Sequence, residues 1–165
     1  MSMPKIASQL NHVAYPTFDT AATVRFYTEV MGFRLVDAVH DTRGPRPFLH
    51  TFFAMESGEI IAFFDIPGLE RPAPDHLPSW VRHLALSVDS PETLAAWKAR
   101  LERHGLHVTG PVDHEGVWSS IYFTDPNGVT LELTHQARPL DADDAARAAA
   151  MVAAWTAERA AAPRA

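Results

Sequence analysis

The chain has 165 residues, of which 47% are hydrophobic and 21% are charged, so we expect a single domain with one buried core. The formal charge is −6 at pH 7 with both signs interspersed, which argues against nucleic acid or an anionic membrane surface as a partner. No apolar run reaches the roughly 18 residues that cross a bilayer, and the start of the chain lacks the apolar stretch of a secretory signal. A cytoplasmic protein is expected.

The chain contains no cysteine and nine histidines. The lack of thiols excludes a disulfide framework, a thiolate zinc site, an iron–sulfur cluster and a cysteine nucleophile. Any metal site must therefore be built from imidazole and carboxylate groups. There is also no glycine-rich phosphate loop, nucleophile elbow or HExxH helix, so nucleotide hydrolysis, serine hydrolysis and zincin proteolysis have no residues to support them.

The first half of the chain predicts a strand, a helix and three further strands. The opening strand covers 10–15, and the helix covers 21–30 with apolar residues at helical spacing. Gly32 follows the helix, as expected of a left-handed helix end. Three further strands are predicted after the helix, at 33–38, 48–55 and 59–65.

The second half repeats this order after a proline-rich linker, 67–79. Its elements are a strand at 82–88, a helix at 92–104 ending before Gly105, and strands at 106–109, 119–124 and 130–134. The repeat predicts an α+β fold of two βαβββ modules, 8–66 and 80–136, forming a curled mixed sheet around a metal-binding cleft. An alanine-rich helix in the tail 137–165 carries a narrow apolar stripe and is expected to dock on the body or on a second subunit.

Three residues form the candidate metal site. His12 and His83 occupy equivalent places in the opening strands of the two modules, so a pseudo-twofold arrangement would let them converge. Glu132 lies in the apolar strand around 129–133, where an ionised carboxylate is costly unless a positive group meets it. Two imidazoles and one carboxylate make the facial triad that suits Fe(II). Taken singly, a histidine in a strand is more often structural, but the paired placement favours metal binding.

The sequence resembles the vicinal oxygen chelate superfamily over about residues 8–136. The similarity rests on the duplicated pattern, on FYTEVMGF at 26–33 and on YFTDPNGVTLE at 122–132. That superfamily includes glyoxalase I, bleomycin- and fosfomycin-resistance proteins and extradiol ring-cleaving dioxygenases. The resemblance implies the ligands His12, His83 and Glu132. It places a fourth ligand near Ala62 or Phe63, which are apolar, so the three-ligand ring cleavers and fosfomycin-modifying enzymes fit better than glyoxalase I.

A finer motif resembles the extradiol dioxygenases. His114 is followed by Tyr122, by the turn 125–128 and by Glu132 at the spacing of that group. The resemblance implies that Tyr122 hydrogen-bonds substrate and that His114 exchanges protons from a loop at the cavity mouth. The alternatives are a solvated loop histidine and a core tyrosine.

One catalytic histidine of the extradiol pattern is missing, because 58–60 reads Gly-Glu-Ile. His50 in the preceding strand would point inward if its aromatic neighbours do, and it is a candidate acid–base group in its place. Several aromatic residues are candidates for a pocket wall around a flat ring, with core packing as the alternative for half or more of them: Phe48, Phe52, Phe63, Trp118 and Phe123.

These features favour an Fe(II)-dependent extradiol-type dioxygenase that cleaves a small catechol-like aromatic substrate with O2. A second interpretation keeps the metal, as Mn(II), Ni(II) or Zn(II), but uses it as a Lewis acid in a lyase, isomerase or thiol transferase. A third is a metal-free drug-binding protein of the bleomycin-resistance kind. A homodimer is expected, since modules in this superfamily pair within or between chains.

Overall fold

The computed structural model describes residues 10–73 and 76–161. Its first module opens with strand β1 (His12–Thr17) and helix α1 (Thr20–Arg25), which the Asp19 side chain caps. The helix continues as one π-helical turn, Phe26–Val30, and Gly32 at φ 75° ends it. Three strands complete the module: β2 (Arg34–Asp41), β3 (Phe48–Ala54) and β4 (Ile60–Asp65).

The second module follows a short 3-10 turn at Ser79–Val81. It contains β5 (Leu84–Ser87), α2 (Pro91–Arg103), β6 (Thr109–His114), β7 (Trp118–Thr124) and β8 (Thr130–Gln136). A last helix, α3 (Ala142–Ala161), follows the module. No helix among the described residues is long and apolar enough to span a membrane.

Each module forms its own four-stranded mixed sheet, in the orders β1-β4-β3-β2 and β5-β8-β7-β6. The outer pairs β1–β4 and β5–β8 are parallel, and the other neighbours are antiparallel. The α+β class, the two βαβββ modules and the C-terminal helix are therefore confirmed. The expected curled sheet is divided between the modules.

The predicted strand 106–109 was wrong by several residues. The backbone N–H of Leu106 donates to the carbonyl of Leu101, so this residue caps the end of α2 and does not begin a strand. Val108 packs into the core, and strand pairing begins only at Thr109. His114 consequently ends β6, where it pairs with Trp118, and does not lie on a loop.

One hydrophobic core joins the two modules. Tyr27 is fully buried near its centre and contacts several aromatic rings, with Phe63 the nearest at 4.9 Å between ring centroids. Phe63 and Phe123 were predicted to line a pocket, but they are 0% and 3% exposed in this core. For these two residues the alternative role in the core is the correct one. Other members of the core are Phe26, Met31, Phe53, Ile61, Leu94, Leu101, Ile121, Leu131 and Leu133.

A buried polar network also connects the modules. The Tyr27 hydroxyl donates to Asp125 at 3.0 Å, and the Asn127 amide donates to Thr23 at 2.9 Å. Asp125 also accepts from the backbone N–H groups of Asn127 and Val129, each at 2.8 Å. Burial raises the pKa of Asp125, although these hydrogen bonds oppose the change. The turn after β7 is therefore fastened to α1.

Helix α3 leaves its apolar stripe uncovered over the part of the chain that the structure describes. Its apolar residues Met151, Val152 and Trp155 are 71%, 63% and 61% exposed. Arg138 pairs with Asp144 at 2.6 Å and holds the start of the helix. The stripe is thus not docked on the described body, and docking on a second subunit remains a prediction.

Candidate functional site

The candidate site residues of the second module share one face of its sheet. Glu132 on β8 pairs with Ala85 on one side and with Tyr122 on the other. His83 precedes Ala85 by two residues and so belongs to the same face. His114 on β6 pairs with Trp118, whose spacing from Tyr122 puts it on that face as well.

The first module repeats this register. Ala62 on β4 pairs with Ala14 and with Phe52, and His12 precedes Ala14 by two residues. His12 is therefore the structural counterpart of His83, and Ala62 is the counterpart of Glu132. The possible fourth-ligand position thus falls on Ala62, which has no ligand atom, while Phe63 faces the core.

His83 and Glu132 form the closest pair in the second module. The Nε2 atom of His83 lies 2.8 Å from Oε2 of Glu132, whose side chain is only 8% exposed. The Nδ1 atom of His83 donates to the main-chain carbonyl of Trp80 at 2.9 Å. Since a carbonyl can only accept, Nδ1 carries the proton of this bond, and Nε2 is the nitrogen turned toward Glu132 and toward any cation bound beside that carboxylate. This donor set fits a divalent metal.

His12 presents the same donor from the first module. Its Nδ1 atom lies 2.6 Å from Oδ1 of Asn11, which leaves Nε2 available. The ring is exposed and meets Phe52 edge to face at 6.4 Å. Among residues 10–73 and 76–161, no three His, Asp or Glu side chains are grouped closely enough to hold a metal ion. One chain therefore brings His83 and Glu132 together, but it does not add His12.

Tyr122 links the pair to His114. Its hydroxyl lies 2.9 Å from Nε2 of His114, and its ring meets His83 edge to face at 5.8 Å. Burial raises the pKa of Tyr122, and the neighbouring Glu132 carboxylate raises it further. The hydroxyl is therefore a hydrogen-bond donor across the neutral pH range.

His50 lies in an aromatic environment on the face that also carries His12. Its ring stacks on Phe64 at 3.6 Å between centroids and tilts against Phe52 at 4.1 Å. Its Nε2 atom is buried and has no hydrogen-bond partner in the described structure. Burial lowers the pKa of His50, and the nearby His12 lowers it further. Phe64 was missed from the sequence because both faces of 60–65 are apolar.

A cleft of about 950 Å³ opens beside His83. It lies between the end of β1, the segment 71–73, the segment 77–83 and the start of β8. Tyr15, Phe18 and Arg71 contribute to its lining. The sequence did not single it out, because the linker predicted only extended chain.

Comparison with known proteins agrees with this architecture. The sequence model of the Glyoxalase/Bleomycin resistance protein/Dioxygenase superfamily matches residues 9–133. The protein YaeR of Escherichia coli K12 is 33% identical over 130 residues, which cover 78% of this chain and 96% of YaeR. The putative ring-cleaving dioxygenase MhqA of Bacillus subtilis is 30% identical over 115 residues, which cover 68% of this chain and 34% of MhqA.

Two further matches are a metallothiol transferase and a fosfomycin resistance protein. The metallothiol transferase FosB of Bacillus licheniformis is 27% identical over 125 residues, covering 75% of this chain and 73% of FosB. The fosfomycin resistance protein FosX of Listeria monocytogenes, solved with Mn(II), has a TM-score of 0.60 at 20% identity and covers 82% of this chain and 96% of its own. The family match extends over both modules and ends before α3. The chain therefore belongs to the glyoxalase/bleomycin resistance protein/dioxygenase superfamily, also called vicinal oxygen chelate.

Proposed function

We propose that the protein is a metal-dependent enzyme whose metal is held by His83 and Glu132 of one chain and by His12. The observation that supports the metal is the His83–Glu132 pair at 2.8 Å with the Nδ1 atom of His83 fixed by a backbone carbonyl. A second partner on the far nitrogen is the usual way in which a ligand histidine is oriented. A nearly buried carboxylate also needs a positive group close by.

The third ligand comes from a second copy of the chain. His12 lies at the register position that matches His83, but its contacts are with its own module, Asn11 and Phe52. Its ring is exposed, as a residue that meets a partner would be in one isolated chain. A twofold dimer would place His12 of each copy against the His83–Glu132 pair of the other.

The proposed reaction is extradiol cleavage of a catechol-like ring by O2, with Fe(II) as the metal. The observation that carries it is the hydrogen bond between His114 and Tyr122 at 2.9 Å beside the metal ligands. The likeness to the putative ring-cleaving dioxygenase MhqA supports it. When bound, Fe(II) would hold the two vicinal oxygens of the substrate and make O2 reactive toward the ring. A ring carbon–carbon bond breaks, and both oxygen atoms enter the product.

The chain's own residues bind the ring and move protons. Tyr122, whose hydroxyl stays protonated, donates a hydrogen bond to a substrate oxygen, and His114 exchanges a proton with that hydroxyl. From the first module, Phe52, Phe64 and His50 supply a flat aromatic wall. The neutral His50 can accept a proton at Nε2, which has no hydrogen-bond partner among the described residues.

A second candidate uses the same ligands with Mn(II), Ni(II) or Zn(II) as a Lewis acid. The observation that favours it is the lack of a histidine at 58–60, together with the likeness to the metallothiol transferase FosB. Such an enzyme needs no O2.

The test begins with anaerobic reconstitution of the purified chain with Fe(II) and measurement of bound metal by elemental analysis. Oxygen uptake and the absorbance of ring-cleaved products are then followed with a panel of catechols. We expect about one iron per chain and oxygen uptake, and loss of both in His83→Ala and Glu132→Ala. The exposed His104→Ala at the end of α2 is the control. Tight metal binding without oxygen uptake would favour the Lewis-acid enzyme, and no metal binding would leave the drug-binding protein.

A further inference from the structure

The cleft next to His83 differs in charge from the chain as a whole. The chain carries a formal charge of −6, yet the charged side chains among the described residues of the cleft lining are arginines, Arg71 among them. Among the described residues that line it, none is Asp or Glu. A concave surface with this sign attracts anions, because its walls limit solvent screening.

Arg71 is held in place from two sides. One guanidinium nitrogen, Nη2, donates to the main-chain carbonyl of Pro126 at 2.8 Å. The guanidinium group also lies over the ring of Phe18, 4.8 Å from its centroid. A carbonyl and an aromatic face fix the orientation of the group without neutralising its charge. Arg71 thus presents a cation of fixed orientation to the cleft.

The backbone opposite Arg71 leaves room for this group. Gly128 lies in the turn before β8 at φ 90°, and a Cβ atom there would come within 3.3 Å of Nη1 of Arg71. The same turn carries Asn127, which also lines the cleft. Thr130 lines it too and lies two residues before Glu132 on the same strand face. The cleft therefore leads toward the candidate metal ligands.

The apolar part of the lining suits a ring. Tyr15 and Phe18 contribute aromatic surface, and the prolines of the linker add rigid apolar surface. A ligand that fits both parts of the lining has an aromatic or compact apolar body, which packs on the apolar surface, and one anionic group, which pairs with Arg71.

We infer that Arg71 binds the carboxylate or phosphonate of an anionic aromatic substrate, so that the cleft selects acids over neutral rings. The inference rests on the proposed function in one respect, namely that the cleft serves the site containing His83. Arg71 is then a specificity-determining residue, because its planar group can pair with two oxygens of one anion.

Binding of simple probes tests this inference without turnover. Benzoate and phenylphosphonate are compared with neutral benzyl alcohol by saturation-transfer NMR and by calorimetry on the purified full chain, first after EDTA treatment and then with Mn(II). We expect both anions to bind more tightly than benzyl alcohol in either state. Comparing the two anions distinguishes a carboxylate from a phosphonate site.

Variants assign the effect to Arg71. We expect Arg71→Gln to weaken anion binding by about tenfold or more, since a hydrogen bond to a charged group is lost, and to leave benzyl alcohol unchanged. Arg43→Gln is the matched control, because Arg43 is an exposed arginine paired with Asp41 in the first module. If Arg71→Gln does not fold, Arg71→Lys replaces it and should weaken binding severalfold through loss of the planar group.

The inference is overturned if the anions bind no better than benzyl alcohol, or if Arg71→Gln or Arg71→Lys binds them as the wild type does. In that case Arg71 only fastens the linker to the 125–128 turn. Metal content is measured in the same samples. If the wild-type chain binds the anions but takes up no Mn(II), the proposed metal-dependent function is refuted and the anion site is not.

Discussion

Tyr122 is the residue on which the proposed chemistry depends most. Its hydroxyl lies 2.9 Å from the imidazole of His114 and is close to the Glu132 carboxylate. The raised pKa of Tyr122 keeps the proton on this oxygen well into the alkaline range. The group can thus orient a substrate oxygen without becoming a second anion beside Glu132.

Tyr122→Phe should slow turnover by about ten- to a hundredfold, since one positioned proton donor is removed, while the metal content stays unchanged. Metal analysis and steady-state oxygen uptake on the most active catechol measure both effects. Because the pKa of Tyr122 is raised, the wild-type rate should show no loss from this group as the pH rises to about 9. Loss of metal in the variant would instead make Tyr122 part of the metal site.

The buried ring nitrogen of His50 lowers the stability of the folded protein. Its buried Nε2 atom has no partner among the described residues, and Phe64 stacks on its ring. His50→Phe should therefore raise the free energy of unfolding by about 1 kcal/mol at neutral pH, measured by urea denaturation. If His50 also acts in catalysis, the same variant loses activity while it gains stability.

The free energy of unfolding of the wild-type protein should fall when His50 becomes protonated at low pH. The pKa of His50 is lowered from 6.5 by burial and by His12, so the unfolded chain binds the proton more readily. Its contribution to stability is present above pH 6.5 and is lost as the pH falls through the lowered pKa. The advantage of His50→Phe should consequently grow as the pH falls from 6.5 through that lowered pKa. A stability difference between His50→Phe and the wild type that stays constant over this pH range would contradict this account.

At the level of elements, the sequence predicted those with a clear period or boundary. The repeated strand–helix–glycine pattern identified both modules, and Gly32 and Gly105 do end their helices at positive φ. The strand 60–65 is apolar on both faces, so alternation could not tell that Phe64 faces His50 and Phe63 faces the core. The start of β6 was misjudged for a related reason, since Leu106 and Val108 are apolar but serve the core.

The connection between α1 and the β7–β8 turn is the element contact with the clearest energetic test. The Tyr27 hydroxyl is buried and donates to the Asp125 carboxylate at 3.0 Å. Tyr27→Phe should lower the free energy of unfolding by about 2 kcal/mol, because a hydrogen bond to a buried charged group is lost. Chemical denaturation measures the change. Tyr15→Phe, for which the structure records no hydroxyl hydrogen bond in its described part, should cost less than about 0.5 kcal/mol. Equal costs would show that the network contributes little.

At the scale of the whole molecule, the candidate metal ligands are divided unequally between the two modules. The second module holds a histidine and a carboxylate 2.8 Å apart, whereas the first holds a histidine with alanine at the carboxylate position. Sequence reasoning could identify all three ligand candidates from their strand positions. It could not tell whether one chain or two would bring them together, because strand patterns carry no information on how modules associate.

Complementation between two inactive variants decides this question. His12→Ala and His83→Ala are each expected to bind little metal alone. If each site uses His12 of one copy and His83 with Glu132 of the other, a mixed dimer contains one doubly altered site and one intact site. Co-expression in equal amounts should therefore restore roughly a quarter of the wild-type metal content, as expected for random pairing in a twofold dimer.

Native mass spectrometry identifies the mixed dimer, and elemental analysis gives its metal. If the site is built within one chain, co-expression restores no metal binding. As a control, His12→Ala is co-expressed with a chain that carries both His12→Ala and His83→Ala, and this mixture should bind no metal in either case.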